Sequence, residues 1–278
     1  TPITEKSKRM QDQSTSLQYQ TVAGEHESLG DESSEATIDE RIKWIAFKQQ
    51  FFSAILISKD KQFKQAKLVS KKNKDLENSQ THFIKDLYAR INIPYKNQKD
   101  NQLHSQFYFG PNDYKKLKSY NDGYEEIMDL GYIGIDTWVN KHIIIPLFSL
   151  LSKYSNNYGL IIFLLTIIIK LTLAPLTYKS YLSQAKMKVL KPEIDKLNEK
   201  HKGKDPMKAQ QATMSLYRKA GVNPMGGCLP MLFQFPILIA MFRFFPSSIE
   251  IRQKSFLWAD DLSSYDNWID LPTGIMPA

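Results

Sequence analysis

The sequence has almost no cysteine to form disulfide bonds, and it lacks the common catalytic motifs. Cys228 is the only cysteine among 278 residues, which excludes an internal disulfide and a thiolate zinc site. No P-loop motif occurs, and no Ser/His or paired-carboxylate arrangement stands in a plausible site. His26, His82 and His104 are scattered without metal-ligand spacing. These absences predict a protein that is not an enzyme and has no metal or cofactor.

The N-terminus also lacks the n-region and h-region pattern of a secretory signal peptide. The sequence ends at Met276–Pro277–Ala278 without a tail or helix cap. We therefore expect a fragment whose upstream and downstream parts are missing.

Long apolar runs are present in two places only. Residues 158–177 form the first run, and about 20 helical residues span roughly 30 Å of hydrocarbon. Residues 226–245 form the second run, in which Gln234 is a polar group that needs an interhelical partner. We predict transmembrane helices at 156–178 and 225–246.

A cation lies within the first run. Thr166, Lys170 and Thr177 stand at i, i+4 and i+11, so an ideal helix places them on one stripe. A charge at this depth costs about 3 kcal/mol unless it reaches water or a partner. Either Lys170 extends its stem to the interface, or it is a functional cation on a narrow wet face.

The loop between the two runs is strongly basic. Residues 178–225 contain 11 Lys and Arg against four Asp and Glu. By the positive-inside rule such a short loop is cytosolic, which places both flanks outside. Nucleic-acid binding is the rival interpretation of a basic patch, but membrane spans flank this one directly.

The same loop predicts a cytosolic helical hairpin over 179–222. Pro192 is expected to interrupt the helix between the span and the first arm of the hairpin. Pro206 suits the first position of the second arm, and Gly221 its end. Residues recurring at helical spacing give each arm a thin apolar edge: Met187, Leu190, Ile194 and Leu197, then Met207, Met214 and Tyr217. A plain basic anchor for anionic lipids is the simpler alternative.

The first half of the sequence predicts a β-rich extracytoplasmic domain over 1–130. Residues 1–40 are polar and predict irregular structure, whereas 42–57 predict two adjacent strands or one long bent strand. Residues 131–155 carry an amphipathic pattern that indicates a helix lying on the outer leaflet. A docking helix of the soluble domain is the alternative. Residues 247–278 are expected to be an outer-surface segment that leads to missing spans.

Several motifs together resemble the YidC/Oxa membrane protein insertases, in particular the Gram-negative YidC type with a large periplasmic domain. The resemblance rests chiefly on AKMKVLKPEIDKL at 185–197 and on NPMGGCLP at 223–230, followed by Gln234 and Pro236. IEIRQ at 249–253 continues it. Upstream, WIA at 44–46 and FGP at 109–111 are similar to the periplasmic domain.

The resemblance implies an α+β membrane protein of the bacterial inner membrane. A partial periplasmic β-supersandwich would precede a multi-pass helical core with a cytosol-open hydrophilic groove and a hairpin that receives substrate. Lys170, Thr166, Thr177 and Gln234 would line the groove. The family usually has arginine where Lys170 stands, and lysine keeps the charge but lacks the planar fork. Without the remaining spans, this fragment should not insert anything by itself.

The implied function is insertion and chaperoning of single-span or small membrane proteins. Implied partners are nascent membrane proteins, with the Sec translocon, the ribosome and anionic lipids as further candidates, and no direct nucleic-acid partner. Two other classes stay open from the residues alone. One is a transporter or channel subunit that uses Lys170 as an ion site. The other is a structural anchor for the extracytoplasmic domain.

Overall fold

The computed structural model describes residues 1–30, 34–59, 63–73, 82–93, 103–131, 134–200, 206–222 and 229–265. The chain divides into two units, one of Thr1–Leu130 with Phe242–Ala278 and one of Gly131–Met241. The start of the predicted second span at 225–228 and the end of the predicted 247–278 segment lie outside the described residues.

The described part of the first unit contains antiparallel strands in two sheets. The strands are β1 (Ser16–Thr21), β2 (His26–Leu29), β3 (Ser34–Ile38), β4 (Ile42–Lys48), β5 (Phe52–Ser58), β6 (Gln65–Lys72), β7 (Lys85–Asn92) and β8 (Ser105–Pro111). One sheet has the order β2-β1-β4-β5-β8 and the other β3-β6-β7. Leu17 and Ile45 of the larger sheet and Leu68 of the smaller sheet belong to one buried core. The prediction of a β-rich domain is confirmed.

Residues 42–57 form two adjacent strands, as the aromatic and β-branched pattern allowed. β4 and β5 pair antiparallel, with Ile45 opposite Leu56 and Phe47 opposite Ala54. Residues 112–130 follow β8 with helix α2 (Tyr114–Ser119) and a short 3₁₀ turn (Tyr124–Ile127). Asp113 caps α2 by accepting from the backbone N–H groups of Lys115 and Lys116.

The expectation of irregular structure over residues 1–40 is wrong. This stretch contains helix α1 (Lys8–Ser14) and strands β1, β2 and β3, and all six residues of β1 are buried. Its polar side chains are buried because they have partners. Gln18 donates to the Ile127 carbonyl at 3.3 Å, and Gln20 accepts from the Trp44 indole at 2.9 Å. Such long-range bonds satisfy polar groups that sequence patterning reads as exposed.

A fully buried lysine ties three segments of the first unit together. The Lys85 ammonium donates to the carbonyls of Asp12 (2.7 Å), Thr15 (2.9 Å) and Gly30. It also lies 3.3 Å from the Asp12 carboxylate, which pairs on its other oxygen with Lys72 at 2.7 Å. Because a buried ammonium is tolerated only when paired and hydrogen-bonded, this cluster fixes β7 against α1 and the ends of β1 and β2.

His26 makes the stability of the first unit pH-dependent. Burial lowers the pKa of its imidazole, although Glu126 and Asp129 oppose the shift, and Lys48 adds to it. The folded pKa is therefore below the unfolded value of about 6.5. Below that pH the unfolded chain takes up a proton that the folded chain resists. We expect the free energy of unfolding to fall as pH drops from about 6.5 towards the folded pKa, by at most about 1.4 kcal/mol per pH unit, and to level off below it.

His26→Gln is the matched control, because an amide can keep a hydrogen bond with Gln18, which faces the ring at 3.0 Å. Denaturant unfolding at pH 7.5, 6.5 and 5.5 should give a smaller loss in this variant than in the parent chain. Identical pH profiles for the two chains would contradict the assignment.

The second unit is helical in the part that the structure describes. Helix α3 (Ile135–Val139), a π-helical turn (Asn140–Ile144) and α4 (Ile145–Leu151) form one helical stretch. Three longer helices follow, namely α5 (Tyr158–Lys200), α6 (Pro206–Lys219) and α7 (Leu229–Ser247). The end of α7, from Phe242 onward, belongs to the first unit. The described helical stretch, residues 135–151, lies within the predicted range 131–155.

The predicted break at Pro192 is wrong. Helix α5 runs without interruption for 43 residues, with both Pro175 and Pro192 inside it. A proline removes one backbone hydrogen bond and costs about 3 kcal/mol in a helix interior. Both prolines lie on exposed sides of the helix. The many bonds on either side outweigh the missing one, and the first arm of the hairpin is a continuation of the apolar helix.

The predicted apolar edge of α6 is only partly covered by the rest of the protein. Tyr217 is half-buried, but Met207 and Met214 are 70% and 41% exposed, and Leu216 is half-buried instead. Met207 and Met214 share one side of the helix, because seven residues make almost two full turns. That side lies next to the one that carries Tyr217. On α5, the predicted edge of Met187, Leu190, Ile194 and Leu197 is half-buried among exposed neighbours. Gly221 ends α6 with a φ of 62°.

Candidate functional site: a polar cleft between two apolar helices

Helices α5 and α7 are long and apolar enough to cross a membrane. The candidate spans are Tyr158–Leu197 and Pro230–Ser247, and the first is the more apolar of the two. Only 17% and 11% of these windows are buried in the protein. A core helix of a soluble protein would be mostly buried, so the exposed leucine and isoleucine surface favours a lipid environment.

A cleft of about 520 Å³ opens between the two helices. Side chains from one face of each helix line it: Thr177, Ser180, Tyr181 and Gln184 of α5, and Pro230, Met231, Gln234, Phe235 and Leu238 of α7. The α5 members recur at i, i+3, i+4 and i+7, which places them on one face. Polar groups from both helices therefore meet inside an otherwise apolar pair.

The structure brings together two of the four predicted groove residues. Thr177 and Gln234 both line the cleft, whereas Thr166 and Lys170 do not. Lys170 is exposed and lies seven residues, about 10 Å, before Thr177 along α5. Since seven residues return almost to the same side of a helix, Lys170 continues the polar stripe beyond the cleft.

The threonines of the stripe are anchored by their own helix. The Thr166 hydroxyl donates to the Ile162 carbonyl at 2.8 Å, and the Thr177 hydroxyl to the Leu173 carbonyl at 2.9 Å. With the donor used internally, each oxygen presents lone pairs as acceptors. Along the described part of α5, the stripe therefore offers acceptors at the threonines and one cation at Lys170.

Sequence reasoning missed Ser180, Tyr181 and Gln184. The signal was present, because these residues extend the Thr166–Thr177 stripe at the same helical spacing. It was overlooked because the span was ended at residue 178, where the charged loop begins. In the structure the helix and its stripe continue across that boundary.

A buried amide connects the helical stretch 135–151 to α7. The Asn140 side chain is buried within the π-helical turn and donates to the Ala240 carbonyl at 2.8 Å. Asp136 is buried as well, while Ile135 and Trp138 are 60% and 56% exposed. Val139, Ile144 and Phe148 are buried too, so the stretch packs one side inward and leaves Ile135 and Trp138 exposed on another.

Among the residues that the structure describes, no group of three His, Cys, Asp or Glu side chains is placed to hold a metal. The chemistry offered by the cleft is that of binding: hydroxyl and amide groups beside apolar walls, and an ammonium two turns away on the same stripe.

Two packed β-sheets, and two helices of span length with a cleft between them that polar and apolar groups line, are typical of a membrane protein with a sizeable domain outside the bilayer. Family models agree in both parts: residues 6–146 match the YidC periplasmic domain, and residues 150–278 match the 60Kd inner membrane protein. The chain belongs to this YidC family of inner-membrane proteins.

Proteins named membrane protein insertase YidC are similar over most of the chain. The protein of Parabacteroides distasonis is 44% identical over 272 residues, and that of Amoebophilus asiaticus 45% identical over 243. These alignments cover 94% and 87% of this chain but 42% and 40% of the relatives. The protein of Azobacteroides pseudotrichonymphae is 42% identical over 282 residues, covering 98% of this chain and 45% of the relative. The chain thus spans less than half the length of these relatives.

Proposed function

We propose that this chain is part of a membrane protein insertase and chaperone. The whole protein would move single-span or small membrane proteins into the bacterial inner membrane through a hydrophilic groove. One observation carries the proposal: Thr177 and Gln234 meet in a polar cleft between two apolar helices, in line with Lys170. The names of the relatives support it.

Bilayer energetics gives the mechanism. A single-span substrate must carry a polar, often acidic, N-terminal segment across hydrocarbon, where unsatisfied polar groups are strongly disfavoured. A wet cleft shortens the apolar path, and Lys170 attracts the acidic segment transiently. The exposed apolar sides of α5 and α7 then allow the substrate helix to move from the cleft into the lipid. Binding and release suffice, so no catalytic step is needed.

The proposed topology places residues 1–130 in the periplasm and 179–222 in the cytosol. The basic character of the loop between the spans supports this orientation. Residues 131–155 would lie on the outer leaflet, which agrees with the exposed Ile135 and Trp138 and the buried Asp136 and Asn140. Residues 156–178 and 225–246 would then be two of several spans, and 247–278 would return to the periplasm.

The cytosolic hairpin is proposed to receive substrates before they enter the cleft. Its first arm is continuous with α5, so displacement of the arm would reach the cleft without an intervening joint. Exposed lysines on this arm, such as Lys186 and Lys188, suit anionic lipids or a ribosome. Nascent membrane proteins are the proposed substrates, and a Sec translocon is a further proposed partner.

Photo-crosslinking tests the proposal in the whole protein. A photoreactive amino acid at Gln234, inside the cleft, should crosslink a stalled single-span substrate. The matched control is Leu232, which is 65% exposed on the same helix and does not line the cleft. We expect adducts at 234 well above those at 232. Equal yields at both positions, or adducts at 232 alone, would argue against the cleft as the route.

A further inference from the structure

A tight turn after α7 presents two large apolar residues at its tip. Backbone hydrogen bonds join Phe256 and Ala259 in both directions at 2.9 Å, which leaves Leu257 and Trp258 as the two residues of the turn. Leu257 is 75% and Trp258 is 72% exposed. We call residues 256–259 the Leu–Trp turn.

The backbone of the Leu–Trp turn is unusual for its sequence. Leu257 has a φ of 53°, in the left-handed region where two-residue turns normally carry glycine, asparagine or aspartate. A leucine there is strained and also leaves its side chain in the open. Neither the strained backbone nor the exposed side chains stabilise the folded chain, and such features are typical of surfaces that contact a partner or a membrane.

The turn is held rigidly at its base. Leu262 donates its N–H to the Lys254 carbonyl at 2.9 Å. The Asp261 carboxylate accepts from the backbone N–H groups of Gln253 (3.0 Å) and Ser263 (2.9 Å), and from the Ser263 hydroxyl at 2.7 Å. Partial burial raises the pKa of the Asp261 carboxyl group, but these hydrogen bonds and the nearby Lys6 lower it overall. The carboxylate therefore stays ionised at neutral pH.

A second set of contacts fixes this segment to the β-sandwich. The Arg252 guanidinium pairs with Glu5 at 3.0 Å and lies over the rings of Phe51 and Phe52 at 5.4 and 5.5 Å. One residue earlier in the sandwich, Gln50 donates to the Pro246 carbonyl in the last turn of α7 at 2.9 Å. The end of the candidate span and the base of the turn are thus held by neighbouring residues of the same unit.

We propose that the Leu–Trp turn inserts into the headgroup–acyl boundary of the leaflet in which α7 ends. The candidate span finishes at Ser247, ten residues before Leu257, and both are braced to one β-sandwich. Tryptophan favours this depth because its ring is apolar and its N–H is polar. The flanking Lys254, Asp260 and Asp261 are not a basic cluster, so the partner is the apolar boundary of any bilayer rather than anionic lipid.

Spin-label accessibility in the whole protein, reconstituted in phosphatidylcholine vesicles, tests this proposal. In a background with Cys228→Ser and no other cysteine, Trp258→Cys and Leu257→Cys carry the label. Ser255→Cys, an exposed position beside the turn, is the control. Labels at 257 and 258 should collide with oxygen more than with a water-soluble nickel complex, and the label at 255 should show the reverse. Adding phosphatidylglycerol should leave the ratios unchanged.

Nickel accessibility at 257 and 258 equal to that at 255 would show that the turn is in water. Exclusion of both colliders would show that protein covers it. Either result overturns the proposal. Quenching by bromolipids provides a check without a label: the parent protein should lose more fluorescence than Trp258→Phe, and equal losses would contradict insertion. These depths do not depend on substrate insertion, so failure here leaves the proposed function to its own test.

Discussion

Replacing Lys170 by alanine in the complete protein is expected to reduce insertion of a single-span substrate with an acidic N-terminal segment by at least about tenfold, or ~1.4 kcal/mol. The ammonium is the only charged side chain on the described stripe from Thr166 to Gln184. Removing it takes away the attraction that draws the acidic segment into the cleft. The measurement is protease protection of the substrate's N-terminal segment in vesicles that contain each variant.

Lys170→Arg is the matched variant, since it keeps the charge and adds a planar fork. It should retain activity close to that of the parent protein. A substrate with a neutral N-terminal segment should be affected much less by Lys170→Ala. If alanine and arginine variants inserted the acidic substrate equally well, the charge would have no part in the mechanism.

Lys85→Met is expected to destabilise the β-sandwich by about 3–5 kcal/mol, the range for breaking a buried ion pair. The substitution leaves the carbonyls of Asp12, Thr15 and Gly30 without their shared donor. Hydrogen exchange of the β1 and β7 amides in the intact chain measures the effect as a loss of protection.

Lys72→Met is the control for this prediction. Lys72 pairs with the same carboxylate, at 2.7 Å, but its side chain is 41% exposed. Because Lys72 is partly in water and Asp12 keeps its buried partner Lys85, protection should change much less than in Lys85→Met. If Lys72→Met weakened β1 and β7 as much as Lys85→Met, the buried ammonium would not be the element that joins the segments.

The pattern of apolar residues predicts much of the secondary structure, but it fails where polar residues are buried. The strands at 42–57 were readable from Ile42, Trp44 and Phe47, and both candidate spans from their apolar length. β1 was missed because Gln18 and Gln20 find partners more than 20 residues away, in β4 and in the 3₁₀ turn. No local pattern reports such partners.

Local rules misplaced boundaries for a related reason. Pro192 predicts the end of a helix, but α5 continues through it because hydrogen bonds on both sides outweigh the one that is lost. The cleft was half predicted: Thr177 and Gln234 were found from polarity within apolar runs. Which face of α7 meets α5 depends on packing between helices, so Met231 and Phe235 could not be assigned to the cleft from spacing alone.

We propose that water reaches position 170 inside the membrane. Lys170→Cys, in the whole protein without other cysteines, should react readily with a water-soluble maleimide in native membranes. Leu171→Cys, next on the helix and 67% exposed on an apolar side, should stay unreactive. If position 170 were as unreactive as position 171, the stripe would be sealed in lipid or protein, and the proposed route would be contradicted.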